Sequence, residues 1–301
     1  MQSTLMNFSE ELARLVEEIQ PYVVAVHARA HYPSSGVHWR PGVIVTADHT
    51  IRRDEDIQVT LPDGKRVDAA LVGRDPGTDI AALKVDGLGS PVAQAEGVAP
   101  VKAGELALVL GRSPDSGPNA SLGILSAVSG PWRTWRGGQL DNYIRLDATL
   151  FPNSSGGAVA DLRGRLLGIA TSGLSRIAGL AIPASSVNRV VDTLIAKGHV
   201  PRGYIGIGAQ PVGIPETLRS SLSLSTKRGI MVMKVEPGGP AEQAGLLLGD
   251  ILVSFGNTPL EDVDDLQSVT SGIIGRRVKG SVIRAGKLQE VEITVGERPG
   301  N

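Results

Sequence analysis

The chain has 301 residues, 41% of them hydrophobic, and a formal net charge of −1, so its length suits two domains or one large β domain with a smaller one. The near-zero charge gives no electrostatic reason to expect a nucleic-acid partner. The absence of cysteine excludes disulfides, thiolate metal sites and a cysteine nucleophile, and the sequence predicts neither a metal nor a cofactor.

The N-terminal residues 1–8 lack the basic region and the apolar stretch of a signal peptide. No run of the chain approaches the roughly 18 apolar residues that a membrane-spanning helix needs. On these grounds alone we expect a soluble protein without an integral membrane segment, cytoplasmic if the chain is complete.

The first predicted element is an amphipathic helix over residues 7–20. Leu12, Leu15, Val16 and Ile19 follow the spacing of one helix face. This apolar stripe can pack on the domain that follows it or form a contact between subunits.

Short apolar runs separated by turn residues follow one another up to residue 182. The next long helical pattern begins at Ser186 and ends at Lys197-Gly198. Roughly a dozen short strands with regular turn signals predict a β barrel or sandwich. The predicted strands cover residues 22–28, 43–46, 57–61, 67–73, 80–85, 106–110, 122–128, 143–146, 158–160, 166–170 and 180–182.

A second domain of about 100 residues is predicted after a short hinge at residues 199–202, which places the boundary near residue 200. Its pattern mixes short strands with two short helices. The predicted strands cover residues 203–207, 230–235, 251–255, 277–283 and 290–295, and the predicted helices cover residues 240–246 and 263–269.

A candidate nucleophile, Ser155, stands directly before Gly156 and Gly157. A nucleophilic serine needs an accessible oxygen on a tight turn, with backbone N–H groups beside it to hold an oxyanion. Glycines permit such a turn and the close approach of a substrate. The motif alone is weak, because glycine and serine are ordinary loop residues.

Two residues upstream can complete a catalytic triad with Ser155. His49 follows the end of an apolar strand, and Asp79 stands at the mouth of another. Singly, each has a plainer interpretation, as a surface histidine and a strand-capping aspartate. Together the three follow the chain order of chymotrypsin-like proteases. We therefore predict His49 as the general base, Asp79 as its orienting carboxylate and Ser155 as the nucleophile.

With these blocks in view, the chain resembles the HtrA/Deg family of serine proteases over nearly its whole length. Residues 35–49 are similar to the family's catalytic-histidine block, residues 75–85 to its catalytic-aspartate block and residues 147–159 to its nucleophile block. Residues 179–183 match its late strand. The resemblance implies two six-stranded β-barrels with the site between them, ATP-independent endoproteolysis of unfolded or damaged proteins, and a C-terminal PDZ domain.

The nucleophile block departs from the family pattern. Where the family has Gly-Asn-Ser-Gly-Gly, this chain has Asn153-Ser154-Ser155-Gly156-Gly157, so Asn153 replaces the glycine whose N–H forms half of the oxyanion hole. The N–H of Ser155 would form the other half. Since asparagine enters the left-handed region more easily than other non-glycine residues, we expect a hole that can form but is biased toward a flipped, inactive turn.

A second departure is the short segment between residues 27 and 35. Family members that assemble into larger cages carry a long inserted loop there, and this chain does not. The resemblance therefore implies a homotrimer.

The C-terminal residues independently resemble bacterial-type PDZ domains. Residues 202–207 are similar to the carboxylate-binding loop, and residues 229–252 to the core strands and helix. A PDZ domain binds a peptide as an added strand while loop N–H groups hold its terminal carboxylate. The residues expected to bind the peptide are Tyr204, Ile205, Gly206 and Ile207 at the strand edge, and Val263, Leu266 and Val269 on the facing helix.

The sequence thus predicts a mainly β chain, with an N-terminal helical segment over residues 1–21, a chymotrypsin-like double β-barrel over residues 22–199 and a PDZ domain, a small α+β fold, over residues 200–299. The expected function is an HtrA/Deg-like serine endopeptidase whose partners are unfolded polypeptides and peptide C-termini. Family members usually act outside the cytoplasm. The alternatives are a catalytically impaired peptide-binding or chaperone-like protein, favoured only by Asn153, and a small-molecule esterase.

Overall fold

The structure is a computed structural model, and it describes residues 4–30, 32–88, 93 and 100–298. The chain divides into two compact units, Met1–Val200 and Pro201–Asn301. The division lies at the hinge predicted from the composition. The first three residues of the predicted N-terminal segment and residue 299 of the predicted PDZ domain lie outside the described residues.

The N-terminal helix α1 spans Thr4–Ile19 and begins three residues before the predicted start. Leu15 and Ile19 on its apolar face are buried. A 3-10 turn over Gln20–Tyr22 follows, with proline in its first turn, where the missing proline N–H costs no hydrogen bond. Three apolar side chains at the start of the helix are exposed to solvent. Their exposed fractions are 79% for Leu5, 55% for Met6 and 37% for Phe8.

The first barrel closes six antiparallel strands in the order β1-β2-β3-β6-β5-β4. Its interior holds valine, isoleucine and leucine side chains such as Val24, Ile44 and Leu83, which suit the pleated surface of a strand. The strands are β1 Val23–His27, β2 Ser34–Arg40, β3 Val43–Ala47, β4 Ile57–Thr60, β5 Arg66–Asp75 and β6 Ile80–Lys84.

The second barrel closes six strands in the order β11-β14-β13-β12-β7-β8, and β9 and β10 form a separate hairpin. Helix α2, Ala184–Lys197, follows the barrel and ends at Gly198, whose φ of 77° places it in the left-handed region that glycine favours. The strands are β7 Leu106–Ser113, β8 Gly117–Ser129, β9 Trp132–Arg133, β10 Gln139–Leu140, β11 Tyr143–Asp147, β12 Ala158–Asp161, β13 Leu166–Thr171 and β14 Gly179–Pro183.

One hydrophobic cluster joins the two barrels and the two helices of the first unit. It includes Leu15 of α1, Trp39 and Val45 of the first barrel, Ile169 of the second barrel, and Val187 of α2. The predicted double barrel is confirmed. Because the barrels share this core, strand ends from both can contribute to a single site between them.

The second unit is a sheet in the order β16-β17-β18-β20-β21, with β19 paired to β18 and β15 paired to β22. The predicted α+β architecture is confirmed. Its strands are β15 Gly203–Tyr204, β16 Ile207–Gly213, β17 Arg228–Val235, β18 Ile251–Phe255, β19 Thr258–Pro259, β20 Arg277–Arg284, β21 Lys287–Thr294 and β22 Gly296–Glu297, and its helices are α3 Glu216–Ser221, α4 Pro240–Gln243 and α5 Val263–Thr270.

Candidate active site

His49 and Asp79 are joined at the end of the first barrel. His49 lies in a 3-10 turn directly after β3, and Asp79 directly precedes β6. The Nδ1 atom of His49 lies 2.8 Å from Oδ2 and 3.0 Å from Oδ1 of Asp79. The backbone N–H of His49 also donates to Oδ1, at 2.8 Å. Because the carboxylate accepts from Nδ1–H, Nε2 is left as the basic nitrogen of the ring.

Asp79 is completely buried, and its φ of 60° lies in the left-handed region that aspartate enters more easily than most residues. A third donor reaches its carboxylate from the second barrel, the hydroxyl of Thr171 at the end of β13. Thr171 is not among the residues predicted from the sequence. Its only signal was a polar residue at the end of an apolar strand.

The chain passes closely over this pair at Gly173. A Cβ atom at this position would lie 2.5 Å from Nδ1 of His49 and 2.7 Å from Oδ2 of Asp79. The N–H of Gly173 donates to the Thr171 hydroxyl at 2.8 Å. Glycine is therefore required here because no side chain fits between the backbone and the pair.

Ser155 precedes β12 in the second barrel and is 5% exposed. Its Oγ lies 3.1 Å from the hydroxyl of Ser172 and accepts the Ser172 N–H at 3.3 Å. Within the described residues, no hydrogen bond joins Ser155 Oγ to His49. The His49–Asp79 contact of the predicted triad is present, and the Ser155 hydroxyl is turned to Ser172.

We call residues 151–157 the Ser155 loop. Each backbone carbonyl of residues 151–155 accepts a hydrogen bond. Two of the donors are side chains of the first barrel. The Arg29 guanidinium lies 2.9 Å from the Pro152 carbonyl oxygen, and the Ser35 hydroxyl lies 2.6 Å from that of Asn153. In chain order from residue 151, the donors are Ser154 N–H, the Arg29 guanidinium, the Ser35 hydroxyl, Gly157 N–H and Ser35 N–H.

The N–H groups of the same loop divide into two classes. Those of Phe151, Ser154, Gly156 and Gly157 donate within the chain. Those of Asn153 and Ser155 donate to no group in the part of the chain that the structure describes. A backbone N–H without a partner in the chain is available to an acceptor from outside it. These are the two groups that the sequence predicts as oxyanion donors.

The Ser155 loop begins with a tight turn in which Ser154 N–H donates to the carbonyl of Phe151 at 2.8 Å. Pro152 and Asn153 are its central residues. Asn153 does not have a positive φ, and the left-handed conformation in this loop belongs to Gly156, with φ 85°. The turn is therefore of type I, because type II needs a positive φ at its third residue. The left-handed conformation that asparagine could adopt is not used here.

A second buried carboxylate lies beside His49. Asp48 is 2% exposed, and Arg74 Nε lies 2.5 Å from its Oδ1. Burial raises the pKa of Asp48, although the bond from Arg74 acts in the opposite direction. Arg74 also donates to the carbonyl of Ile51, which ties the His49 turn to β5.

The residues predicted to bind peptide lie together in the second unit. Strand β16 is the edge strand of its sheet and contacts α5. Ile205 and Leu266 belong to the buried core, with Leu266 6% exposed. Ile207, Val263 and Val269 are partly buried and pack against that core.

Residues 204–207, which we call the 204–207 loop, also contain N–H groups without an acceptor. The carbonyls of Ile205 and Gly206 accept from backbone N–H groups of Ala241 and Glu236, at 2.7 and 2.8 Å. The N–H groups of Ile205 and Gly206 have no acceptor among the described residues. The φ of 79° at Gly206 gives the loop its bend.

Over the described ranges, no group of three or more histidine, aspartate or glutamate side chains is arranged to hold a metal ion. Over the same residues, no helix has both the length and the apolar composition to cross a membrane.

Two family models match the chain, a trypsin-like peptidase domain over residues 34–169 and a PDZ domain over residues 203–295. A probable periplasmic serine endoprotease DegP-like of Brucella suis is 33% identical over 269 aligned residues, and the match covers 86% of this chain and 51% of that protein. A protein of the same name in Chlamydia trachomatis is 31% identical over 264 aligned residues, and the match covers 86% of this chain and 52% of that protein. The chain thus spans about half the length of these curated relatives.

Solved structures match over almost the whole chain. The serine endoprotease from Yersinia pestis is 32% identical, with a TM-score of 0.77, and the match covers 95% of this chain and 98% of that one. The HtrA-type protease AlgW with decapeptide is 27% identical, with a TM-score of 0.78, and the match covers 96% of this chain and 99% of that one.

Proposed function

This chain belongs to the HtrA-type family of serine endoproteases, with a trypsin-like domain followed by a PDZ domain, and on that premise we propose that it is an ATP-independent endopeptidase of unfolded or damaged polypeptides. The observation that carries the proposal is the His49–Asp79 pair with Ser155 on a loop that leaves two N–H groups without acceptors among the residues that the structure describes.

The proposed mechanism follows from these groups. The Ser155 hydroxyl turns from Ser172 to His49, whose Nε2 takes its proton as Oγ attacks the scissile carbonyl. The N–H groups of Asn153 and Ser155 hold the oxyanion of the tetrahedral intermediate. The imidazolium, stabilised by Asp79, then gives its proton to the leaving amine. Water, deprotonated by His49, attacks the acyl-enzyme, and the His49 imidazolium returns this proton to Ser155 Oγ as the carboxylic acid is released.

The residues before the nucleophile favour cleavage after small or medium aliphatic side chains. The stretch from residue 148 to residue 151 contains no acidic residue that would select lysine or arginine. Leu150 packs against Gly179, where a Cβ atom would lie 2.5 Å from the leucine Cδ1. Sequencing of casein fragments that showed mainly lysine or arginine at the cut would contradict this preference.

For the second unit we propose binding of peptide C-termini. An extended peptide would pair with the free edge of β16, and its terminal carboxylate would accept from the N–H groups of Ile205 and Gly206. The side chains of Val263 and Val269 would contact the last residue of the peptide.

Assembly and compartment are part of the same proposal. The exposed apolar side chains at the start of α1 suit a subunit contact, and we propose a homotrimer. The curated relatives quoted above are named periplasmic, and we propose an extracytoplasmic site of action. The comparisons lend no support to the cytoplasmic placement or to the catalytically impaired alternative.

The decisive experiment compares wild type with Ser155→Ala. We expect wild type to degrade casein and to be labelled at Ser155 by a fluorophosphonate. Removal of the nucleophile should lower the rate at least about 10⁴-fold without changing the fold seen by circular dichroism. A Ser155→Ala variant that retained wild-type proteolysis would rule out the assignment.

A further inference from the structure

Ser35 is a buried residue of β2 to which the catalytic assignment gives no role. It lies in the first barrel and is 0% exposed, whereas the Ser155 loop belongs to the second barrel. In spite of that separation, Ser35 makes hydrogen bonds to the Ser155 loop with both its side chain and its backbone.

The hydroxyl of Ser35 has a defined direction. It accepts the backbone N–H of Arg112 at 2.8 Å and lies 2.6 Å from the carbonyl oxygen of Asn153. Because a carbonyl can only accept, the hydroxyl proton must point to Asn153. The Arg112 bond occupies a lone pair of the hydroxyl on its other side, which leaves the proton little freedom to turn elsewhere.

The backbone of Ser35 fixes a second point of the loop. Its N–H donates to the carbonyl of Ser155 at 3.1 Å, and its own carbonyl accepts the Thr46 hydroxyl at 2.6 Å. Ser35 therefore holds the carbonyls of Asn153 and Ser155, on either side of the peptide that carries the Ser155 N–H. Since each peptide unit is planar, fixing these two carbonyls restricts the direction of that N–H.

Two glycines allow the close approach. A Cβ atom at Gly156 would lie 2.2 Å from the Ser35 carbonyl oxygen, and one at Gly111 would lie 2.9 Å from the Ser35 hydroxyl. The contact between the strand and the loop is thus packed on both sides, and a displaced Ser35 hydroxyl has no nearby space to occupy.

We propose that Ser35 is a positioning residue for the oxyanion donors, acting through its hydroxyl on the carbonyl of Asn153. It does not touch the substrate. The inference rests on the proposed endopeptidase function. It predicts that loss of the hydroxyl lowers the stabilisation of the oxyanion while substrate binding remains.

The neighbouring Ser34 supplies a matched control. It is also buried, at 1% exposed, and its hydroxyl has no hydrogen-bond partner among the described residues. Ser34→Ala and Ser35→Ala thus remove the same group from adjacent buried positions, and only the second removes a bond to the Ser155 loop.

The experiment measures kcat and KM on a quenched-fluorescence peptide taken from a mapped casein cleavage site. It also measures inhibition by the matching peptide aldehyde, whose hemiacetal with Ser155 places an oxygen at the oxyanion donors. For Ser35→Ala we expect kcat to fall about 10- to 100-fold, KM to change less than about threefold, and aldehyde affinity to fall in parallel with kcat. Ser34→Ala should change each quantity less than about twofold.

Ser35→Cys serves as the conservative variant, because a thiol is a weaker donor and should give an intermediate kcat. If Ser35→Ala does not fold, Ser35→Cys carries the test, and wild-type kcat and aldehyde affinity in that variant would overturn the proposal. Equal kinetics of Ser35→Ala and Ser34→Ala, with an active wild type, would also overturn it. A wild type that neither cleaves casein nor reacts with fluorophosphonate would remove the endopeptidase function instead.

Discussion

The Ser155 loop and the 204–207 loop offer the same kind of group and are held in place differently. Each presents two backbone N–H groups that have no acceptor among the described residues. In the Ser155 loop, two carbonyls are bound by side chains of Arg29 and Ser35. In the 204–207 loop, the donors to the carbonyls of Ile205 and Gly206 within the described part of the chain are all backbone N–H groups.

This difference predicts which substitutions each loop tolerates. A loop held by side chains loses its geometry when one of those side chains is changed. A loop held by backbone bonds depends instead on its own conformation, here the positive φ of Gly206. The Ser155 loop is therefore the more sensitive of the two to single side-chain substitutions at a distance.

The largest effect after loss of the nucleophile is expected from Gly173→Ala. The new Cβ atom would lie 2.5 Å from Nδ1 of His49, well inside van der Waals contact, so the imidazole or the chain must move. A displacement of about 1 Å in a catalytic group can lower the rate about 100-fold, and we expect kcat to fall by at least that factor. Steady-state kinetics on the peptide substrate measure it.

Gly130→Ala is the control for that substitution. Gly130 has open space around its Cβ position and no positive φ, so alanine should leave kcat unchanged. Gly173→Ala should leave peptide binding by the second unit at the wild-type level, which separates the two loops. Wild-type kcat in Gly173→Ala would contradict the expectation that the added methyl group displaces the His49–Asp79 pair.

A smaller effect is expected at the 204–207 loop when the ligand rather than the protein is changed. On an array of peptides ending in valine, leucine or phenylalanine, amidation of the C-terminus removes the carboxylate charge. Hydrogen bonds to a charged group contribute about 1.5–3 kcal/mol, so binding should weaken about 10- to 100-fold. As a control, labelling of Ser155 by a fluorophosphonate is measured on the same protein in the absence of peptide. Equal binding of acid and amide peptides would contradict a carboxylate site at Ile205 and Gly206.

Sequence reasoning identified the parts of the site that belong to ordered motifs. Strand and turn signals predicted a β barrel or sandwich, and the resemblance to a protease family implied the two barrels and the PDZ domain. The chain order of His49, Asp79 and Ser155 predicted these three residues as one set. The structure joins His49 to Asp79, and the assignment of all three as catalytic stays a prediction. Each of these residues lies beside a strand, with His49 directly after β3, Asp79 directly before β6 and Ser155 shortly before β12, and it was their chain order that gave the prediction.

The supporting residues could not be predicted in the same way. Thr171 and Ser35 lie on strands far in sequence from the groups they bind, and a serine or threonine in a strand has no local signal of its partner. The conformation of Asn153 depends on the turn type, which the residue type alone leaves open. Helix α1 begins at Thr4, three residues before the predicted start, and its first turns carry the exposed apolar side chains of Leu5, Met6 and Phe8.

The smallest expected effect concerns the turn of the Ser155 loop and the substitution Asn153→Gly. Types I and II differ mainly by a rotation of the central peptide, here Pro152–Asn153, so the Asn153 N–H points in nearly opposite directions in the two. Type II needs a positive φ at residue 153, which glycine adopts most easily, asparagine less easily and alanine least.

If type II is the orientation that aims this N–H at the oxyanion, kcat should rise about threefold or more in Asn153→Gly and fall below wild type in the control Asn153→Ala. Burst kinetics with an ester substrate would separate acylation from product release. If kcat follows the reverse order, with alanine fastest and glycine slowest at residue 153, the type I turn is the productive one. Equal kcat values would show that residue 153 does not limit the reaction.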